Sequence, residues 1–327
     1  MMLFWSGALA LSILLYVLLD GFDLGVGMLF ALAPDERGRR QMLASIQPVW
    51  DGNETWLICA ATILFGAFPM VFALLLAAFY VPLIAMLGGL ILRGMAFEFR
   101  ERAGSVRWIW DAGFIGGSWV AAFVQGAAVG ALVKGLPIAH GVYVGGAFGW
   151  LSPFSVLCGV GLCIGYAMIG CCWIAGKGAG DVRALAFWLL PGLIIALLVF
   201  LACVFVDALS LDLAVMQRWT DRPVLYVFPL VGVVAFAVLA RAVQRRQANR
   251  LFAPAALIFV AAFGTLALSF LPFIIPWSVT IAQAIAPDAS LWFMFWGIGL
   301  VFMPATLIFT VIIYFVFGRN SPRADDL

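Results

Sequence analysis

Apolar runs long enough to cross a bilayer recur along almost the whole chain, with only short polar breaks between them. A hydrocarbon core needs about 20 apolar residues per helix, and the chain supplies that length again and again. Only 10% of its 327 residues are charged while 65% are hydrophobic, against roughly 25% charged in a soluble domain, so lipid is its solvent. The pattern predicts an all-α polytopic membrane protein, one membrane domain over residues 1–327 with no soluble module. Met1 to Trp5 carry no positive charge and no small-residue cleavage site precedes a polar start, so the first helix is expected to stay rather than to be removed as a signal peptide. A net charge of +2 is too small to suggest a nucleic-acid partner. The six cysteines (Cys59, Cys158, Cys163, Cys171, Cys172 and Cys203) lie in apolar stretches without C-x-x-C spacing and read as small buried hydrophobes rather than disulfides.

About nine transmembrane helices are expected, near residues 3–32, 51–68, 70–97, 109–133, 148–173, 184–206, 224–241, 253–274 and 291–317. The stretch from Asp51 to Phe97 is too long for one crossing, and Phe68-Pro69 is its natural break because proline suits the first turn of a new helix. Lys and Arg should collect on alternate loops only if no span has been missed or invented. Fifteen of them do: Arg37, Arg39, Arg40; Arg93, Arg100, Arg102, Arg107; Lys177, Arg183; Arg241, Arg245, Arg246, Arg250; and Arg319, Arg323. The opposite side holds only Lys134, Arg218 and Arg222, the last two among Asp207, Asp212 and Asp221. This asymmetry places the N-terminus outside and the C-terminus in the cytoplasm. Gly21-Phe22-Asp23-Leu24-Gly25-Val26-Gly27 of helix one also aligns faintly with Gly165-Tyr166-Ala167-Met168-Ile169-Gly170-Cys171 of helix five, and both helices run the same way. Residues 1–134 and 148–274 then read as two related four-helix units in parallel, with a peripheral ninth helix at 291–317. Ala167 stands where the first unit has Asp23, so any proton chemistry falls in one half.

Asp20 and Asp23 interrupt the first span in its cytoplasmic half. A carboxylate in a low dielectric favours its protonated form, which suits a group that accepts and passes protons, and at a spacing of three the two share a helix face. The plainer reading is a polar interfacial turn inside a glycine-rich segment that lets helices approach; the cost of intramembrane charge favours function over it. A second polar cluster, Pro48-Val49-Trp50-Asp51-Gly52-Asn53-Glu54-Thr55-Trp56, marks the start of helix two. Its tryptophans could wall a polar pocket or anchor an ordinary helix start, whose N-terminal dipole also favours carboxylates. On residues alone both readings stand. Arg93, Glu98, Arg100, Glu101 and Arg102 read as snorkelling interface charges, and Asp111 as a partner for one of those arginines or for loop polar groups.

His140 is the only histidine and falls in the outer loop between helices four and five, which excludes haem ligation by paired histidines and a multi-histidine metal centre. The eleven methionines scatter through apolar runs and read as packing. No phosphate-binding glycine motif, P-loop or catalytic triad is present, and the glycines of 113–117 and 145–149 read as packing sites between helices. A proton-coupled secondary transporter would also use intramembrane carboxylates and repeated halves, although its repeats would be inverted and a polar cluster would be expected in both halves. A scaffold whose carboxylates only cap and pack is a third reading.

The segments Asp20-Gly-Phe-Asp-Leu-Gly-Val-Gly-Met-Leu, Pro48-Val-Trp-Asp-Gly-Asn-Glu-Thr-Trp-Leu-Ile, Phe68-Pro-Met-Val and Gly94-Met-Ala-Phe-Glu-Phe-Arg together resemble subunit II of the cytochrome bd-type quinol oxidases, cyanide-insensitive members included. Phe270-Leu-Pro-Phe-Ile-Ile-Pro, Ala286-Pro-Asp-Ala-Ser-Leu, and Pro304 before Tyr314 and Gly318-Arg319 are similar to that family's last two helices. The resemblance implies a bacterial cytoplasmic (inner) membrane, multi-pass, and a heterodimer with a subunit I that carries haem b and haem d, or haem b only, and the quinol site. It implies a haem-free role here: stabilising subunit I and contributing Asp23 and Asp51 to a proton path from the cytoplasm, with Asp20, Trp50 and Glu54 in the same motifs. At the position of Glu54 some members of the family carry glutamine, which puts the need for its charge in doubt. A small single-helix subunit, and a structural quinone or lipid in a groove of this chain, are left open by the resemblance.

Overall fold

A computed structural model describes residues 1–210 and 223–317. Arg218, Arg222, Asp212, Asp221, Gly318, Arg319 and Arg323 lie outside the described residues. The protein is an all-α polytopic membrane protein, built from α1 (Met2–Leu29), α2 (Glu36–Ile46), α3 (Trp50–Ala67), α4 (Pro69–Phe99), α5 (Arg107–Lys134), α6 (Pro153–Lys177), α7 (Gly180–Ser210), α8 (Val227–Gln244) and α9 (Phe252–Phe270). The short α10 (Ile281–Ala284) and α11 (Asp288–Met294) follow, and a π-helical stretch over Phe295–Phe302 leads into α12 (Met303–Phe317). Eight helical stretches among the described residues are long and apolar enough to cross a membrane. The expected 51–68 span is α3, whose 18 residues begin with Asp51, Asn53 and Glu54, so length and apolarity alone do not qualify it.

The break at Phe68-Pro69 falls where proline placed it, with α3 ending at Ala67 and Pro69 in the first turn of α4. Two ends differ from the sequence reading. The fifth span was expected from 148, yet α6 starts at Pro153, because Ser152 and Ser155 form a reciprocal capping box ahead of it. The eighth was expected to reach 274, yet α9 stops at Phe270, just before Pro272, which cannot continue a helix; the chain turns instead into a hairpin of Phe273–Ile275 with Val279–Thr280. The glycines of 145–149 pack no helices. They lie in the α5–α6 connection, where Gly146 has φ +70°.

α1 packs against α3, α5 and α6, and α6 in turn against α5 and α7. The α1–α6 crossing is close because Gly25 and Gly170 face each other: a Cβ on Gly170 would come 2.6 Å from the Gly25 carbonyl carbon. Gly117 of α5 sits as tightly on Gly89 of α4. Between α1 and α3 the chain forms α2, absent from the sequence reading. Asp35 caps it by accepting from the Gly38 N–H at 2.6 Å, and it buries Met42, Leu43 and Ile46 while Arg37 and Arg40 stay exposed. The end of the molecule carrying α2 is called the basic side below.

Candidate functional site

Toward the basic end of α1, Asp20 and Asp23 are both fully buried. Neither is left alone, because α3 and α4 bring them partners. Arg93 of α4, also fully buried, places its Nη2 2.6 Å from Asp20 Oδ1 and 3.1 Å from Glu54 Oε2. Asn53 of α3 donates from Nδ2 to Asp23 Oδ2 at 2.8 Å and to the Leu19 carbonyl at 3.2 Å. Tyr314 of α12 donates its hydroxyl to Asn53 Oδ1 at 2.9 Å. The two motifs that look separate in the sequence are therefore one network. Asp20 and Asp23 come from the first motif, Asn53 and Glu54 from the second, and Arg93 closes it.

Arg93 and Arg100 correct the snorkelling reading. A guanidinium snorkels when water lies within reach of its stem, but here carboxylates from other helices hold both inside. Arg100 donates from Nε to Asp111 Oδ1 at 2.5 Å, from Nη1 to Glu101 at 3.0 Å and from Nη2 to both oxygens of Glu36. Arg39 joins Asp111 at 3.0 Å and Arg107 joins Glu36 at 3.0 Å. The guanidiniums of Arg39 and Arg100 also lie over the Phe30 ring. This second network straps the start of α2 to the α4–α5 connection. Glu98, Glu101 and Arg102 are exposed, as expected of interface charges.

One helical turn from Asp20 toward the opposite side, a neutral chain continues the polar interior. Tyr166 of α6 donates to Gln125 Oε1 and Gln125 Nε2 donates to the Tyr16 hydroxyl, both at 2.8 Å. The sequence reading passed over Gln125, although an amide in the middle of an apolar span is a readable signal. Arg93 also carried one: it falls inside the expected 70–97 span, so it needed a buried counter-charge.

Asp51 is not brought into the buried network. Its side chain is exposed, and with Trp50, Glu54, Thr55, Ile58, Leu90, Ile91 and Gly94 it lines an open cleft of about 270 Å³. Trp50 stacks on Phe97, with ring centroids 4.8 Å apart, and lines one side of the cleft. Trp56, the motif's other tryptophan, is fully buried and donates to Thr310 Oγ1 at 3.2 Å. Glu54 belongs to both environments, since its partly exposed carboxylate lines the cleft while touching Arg93.

Two carboxylates, Asp20 and Glu54, thus share one guanidinium in a low dielectric, with a third, Asp23, buried one turn along α1 and held by Asn53. Full ionisation would leave two negative charges uncompensated, a costly state that protons relieve. Asp20 Oδ2, Asp23 Oδ1, Arg93 Nε and Arg93 Nη1 are buried without a hydrogen-bond partner among the protein atoms, the kind of group that internal water commonly satisfies.

The fold and this buried charged network define a class: a polytopic helical membrane protein with protonatable groups held inside the bilayer. The family model for cytochrome bd terminal oxidase subunit II matches residues 1–317, and the chain belongs to that family. It is thus one subunit of a cytochrome bd-type terminal oxidase and works beside a subunit I. The chain is 29% identical to the cytochrome bd-I ubiquinol oxidase subunit 2 of Escherichia coli K12, over 93% of its own length and 91% of that protein. It is 27% identical to the cytochrome bd ubiquinol oxidase subunit 2 of Bacillus subtilis, over 99% and 97%. The bd oxidase of Geobacillus thermodenitrificans contains a chain of the same fold, with a TM-score of 0.79, 14% identity and 97% of each chain covered.

Complexes of this family carry haem. The lone histidine, His140, sits exposed in the turn between Ile138–Ala139 and Val142–Tyr143 at φ 52°. Among the described residues no group of three or more His, Cys, Asp or Glu side chains is placed to hold a metal ion.

Proposed function

We propose that the chain is the haem-free subunit II of a quinol:oxygen oxidoreductase of a bacterial inner membrane, stabilising a haem-bearing subunit I and carrying protons toward it from the cytoplasm. The observation that supports this best is the buried network itself, in which Asp20 and Glu54 share Arg93, Asp23 lies beside them on Asn53, and Glu54 opens onto a surface cleft. Protons from solvent reach Asp51 and Glu54 in the cleft, where Trp50 limits water. From Glu54 the buried route continues through Asp20 beside Arg93 to Asp23, whose orientation Asn53 and Tyr314 fix. Arg93 stays charged and compensates whichever carboxylate is ionised while the others hold protons.

The asymmetry of basic residues supports nine crossings with the N-terminus outside and the C-terminus in the cytoplasm, arranged as two four-helix units, 1–134 and 148–274, with 291–317 peripheral. The names of the relatives support quinol as substrate of the complex. Haem b and haem d, or haem b only, belong to subunit I in this reading; a small single-helix subunit is compatible with it, as is a quinone or lipid on this chain. Quinol releases its protons outside while oxygen reduction draws them from inside, and each charge so separated is worth about 2.3 kcal/mol per 100 mV without pumping. Membership of the oxidase family favours this over the transporter.

Co-purification and oxygen uptake test it. The chain should carry haem b or d absorbance with it through a partner subunit, and a colourless preparation of the chain alone would overturn the reading. Asp23→Asn, with the same shape and no exchangeable acid, should keep assembly and haem content but slow quinol-driven oxygen uptake on the order of 10²-fold, the size of a lost proton-transfer group. Asp51→Asn should slow it as well. Unchanged turnover in both variants would assign these groups to structure.

A further inference from the structure

On the basic side of the second half, five arginines stand exposed without an acid among the described residues. Arg183 lies in the first turn of α7, Arg241 in the last turn of α8, Arg245 caps that helix, and Arg246 and Arg250 lie in the turn to α9. None lies within ion-pair distance of a carboxylate among the described residues, whereas Arg39, Arg93, Arg100 and Arg107 all do. The two loops form one patch, because the Arg246 guanidinium lies over the ring of Phe187, one turn along α7 from Arg183.

The second observation is what lies beneath the patch. Leu230, Val234, Val238, Arg241 and Arg245 follow each other at steps of four, four, three and four, which is one helix face, and all five are exposed. Leu230, Val234 and Val238 remain 63%, 61% and 50% accessible. From Leu230 to Arg241 the face runs about 16 Å at 1.5 Å per residue, an apolar track ending in guanidiniums. That is the outline of a phospholipid.

We propose that an anionic phospholipid binds this face, its phosphate held by Arg241, Arg245 and Arg246 and an acyl chain laid along Val238, Val234 and Leu230. Charge selects the ligand. A group of arginines that meets no acid among the described residues favours a headgroup with net negative charge over a zwitterionic one, and the apolar track favours a lipid over free phosphate. The site goes beyond the proton-path reading and shares no residue with it.

The intact detergent-purified oxidase tests this, with bound lipid read by native mass spectrometry after washing and readdition. Wild type should retain phosphatidylglycerol and not phosphatidylcholine, and inorganic phosphate should not displace the lipid. Arg241→Gln with Arg245→Gln should weaken phosphatidylglycerol binding about 30-fold, from about fivefold per arginine near a membrane surface. Arg241→Lys with Arg245→Lys, which keeps the charge, should lose little, and that pair separates a binding defect from a folding defect. Equal retention by the wild-type and glutamine forms, equal retention of the two lipids, or displacement by inorganic phosphate would overturn the proposal. So would protection of these arginines from an arginine-specific reagent in lipid-free complex, which would place an acidic protein segment over them. Oxygen uptake in lipid-free detergent should be the same in all three forms, so a failed lipid result leaves the proton-path reading standing.

Discussion

Four arginines of the first half find acids on other elements, beside exposed ones such as Arg40 and Arg102, whereas those described in the second half all face outward. In the first half Arg39, Arg93, Arg100 and Arg107 are each taken up by carboxylates from other elements, and Arg93 and Arg100 are buried by doing so. In the second half Arg183, Arg241, Arg245, Arg246 and Arg250 meet no acid among the described residues and face outward. The first arrangement builds an interior that holds paired charge; the second leaves charge for the surroundings. The difference shows that basic residues near a membrane boundary have no fixed role. A guanidinium goes inside only where the fold gathers enough negative charge to offset its desolvation.

Arg93→Leu should break the comparison most sharply. It leaves Asp20 and Glu54 buried or half-buried without their cation, and losing one partner of a buried pair costs about 3–5 kcal/mol. The purified complex should show a large fall in Tm and in haem content. A change as small as that of an exposed arginine would mean the two halves do not differ. Tyr314→Phe probes how far the interior network reaches toward the end of the chain. It removes the donor to Asn53 Oδ1 and should cost about 1 kcal/mol, read as a modest Tm shift; no shift would separate α12 from the network. Asp51→Asn should have the smallest effect on stability, within about 0.5 kcal/mol as for exposed substitutions, even with the slower turnover expected of it. A large loss of Tm would put Asp51 inside the network rather than in the cleft.

Much of the fold is legible in the sequence because the bilayer imposes length and apolarity on each crossing, and the Pro69 break follows from proline's own chemistry. The capping box at Ser152 was equally local, but an apolar flank hid it. The amphipathic α2 was harder, because its apolar positions are few and only their burial against neighbouring helices makes the segment a helix with one inner face.

Asp20, Asp23 and Glu54 stand out in the sequence because charge is rare in apolar spans, while Arg93 and Arg100 were misread because snorkelling explains a cation near a helix end equally well. Periodicity places residues on a face but does not say which face meets which helix. The rotation of α3, set by packing against α1, turned Asn53 and Glu54 inward and left Asp51 in the cleft. The sequence by itself determined that Asp20 and Asp23 would interrupt an apolar span, because apolar runs flank them on one helix and lipid is the chain's solvent. Only the tertiary structure decided that two motifs some 30 residues apart share one arginine, because ion pairing depends on distances of a few ångströms, and those are set by helices meeting at glycines rather than by any single segment.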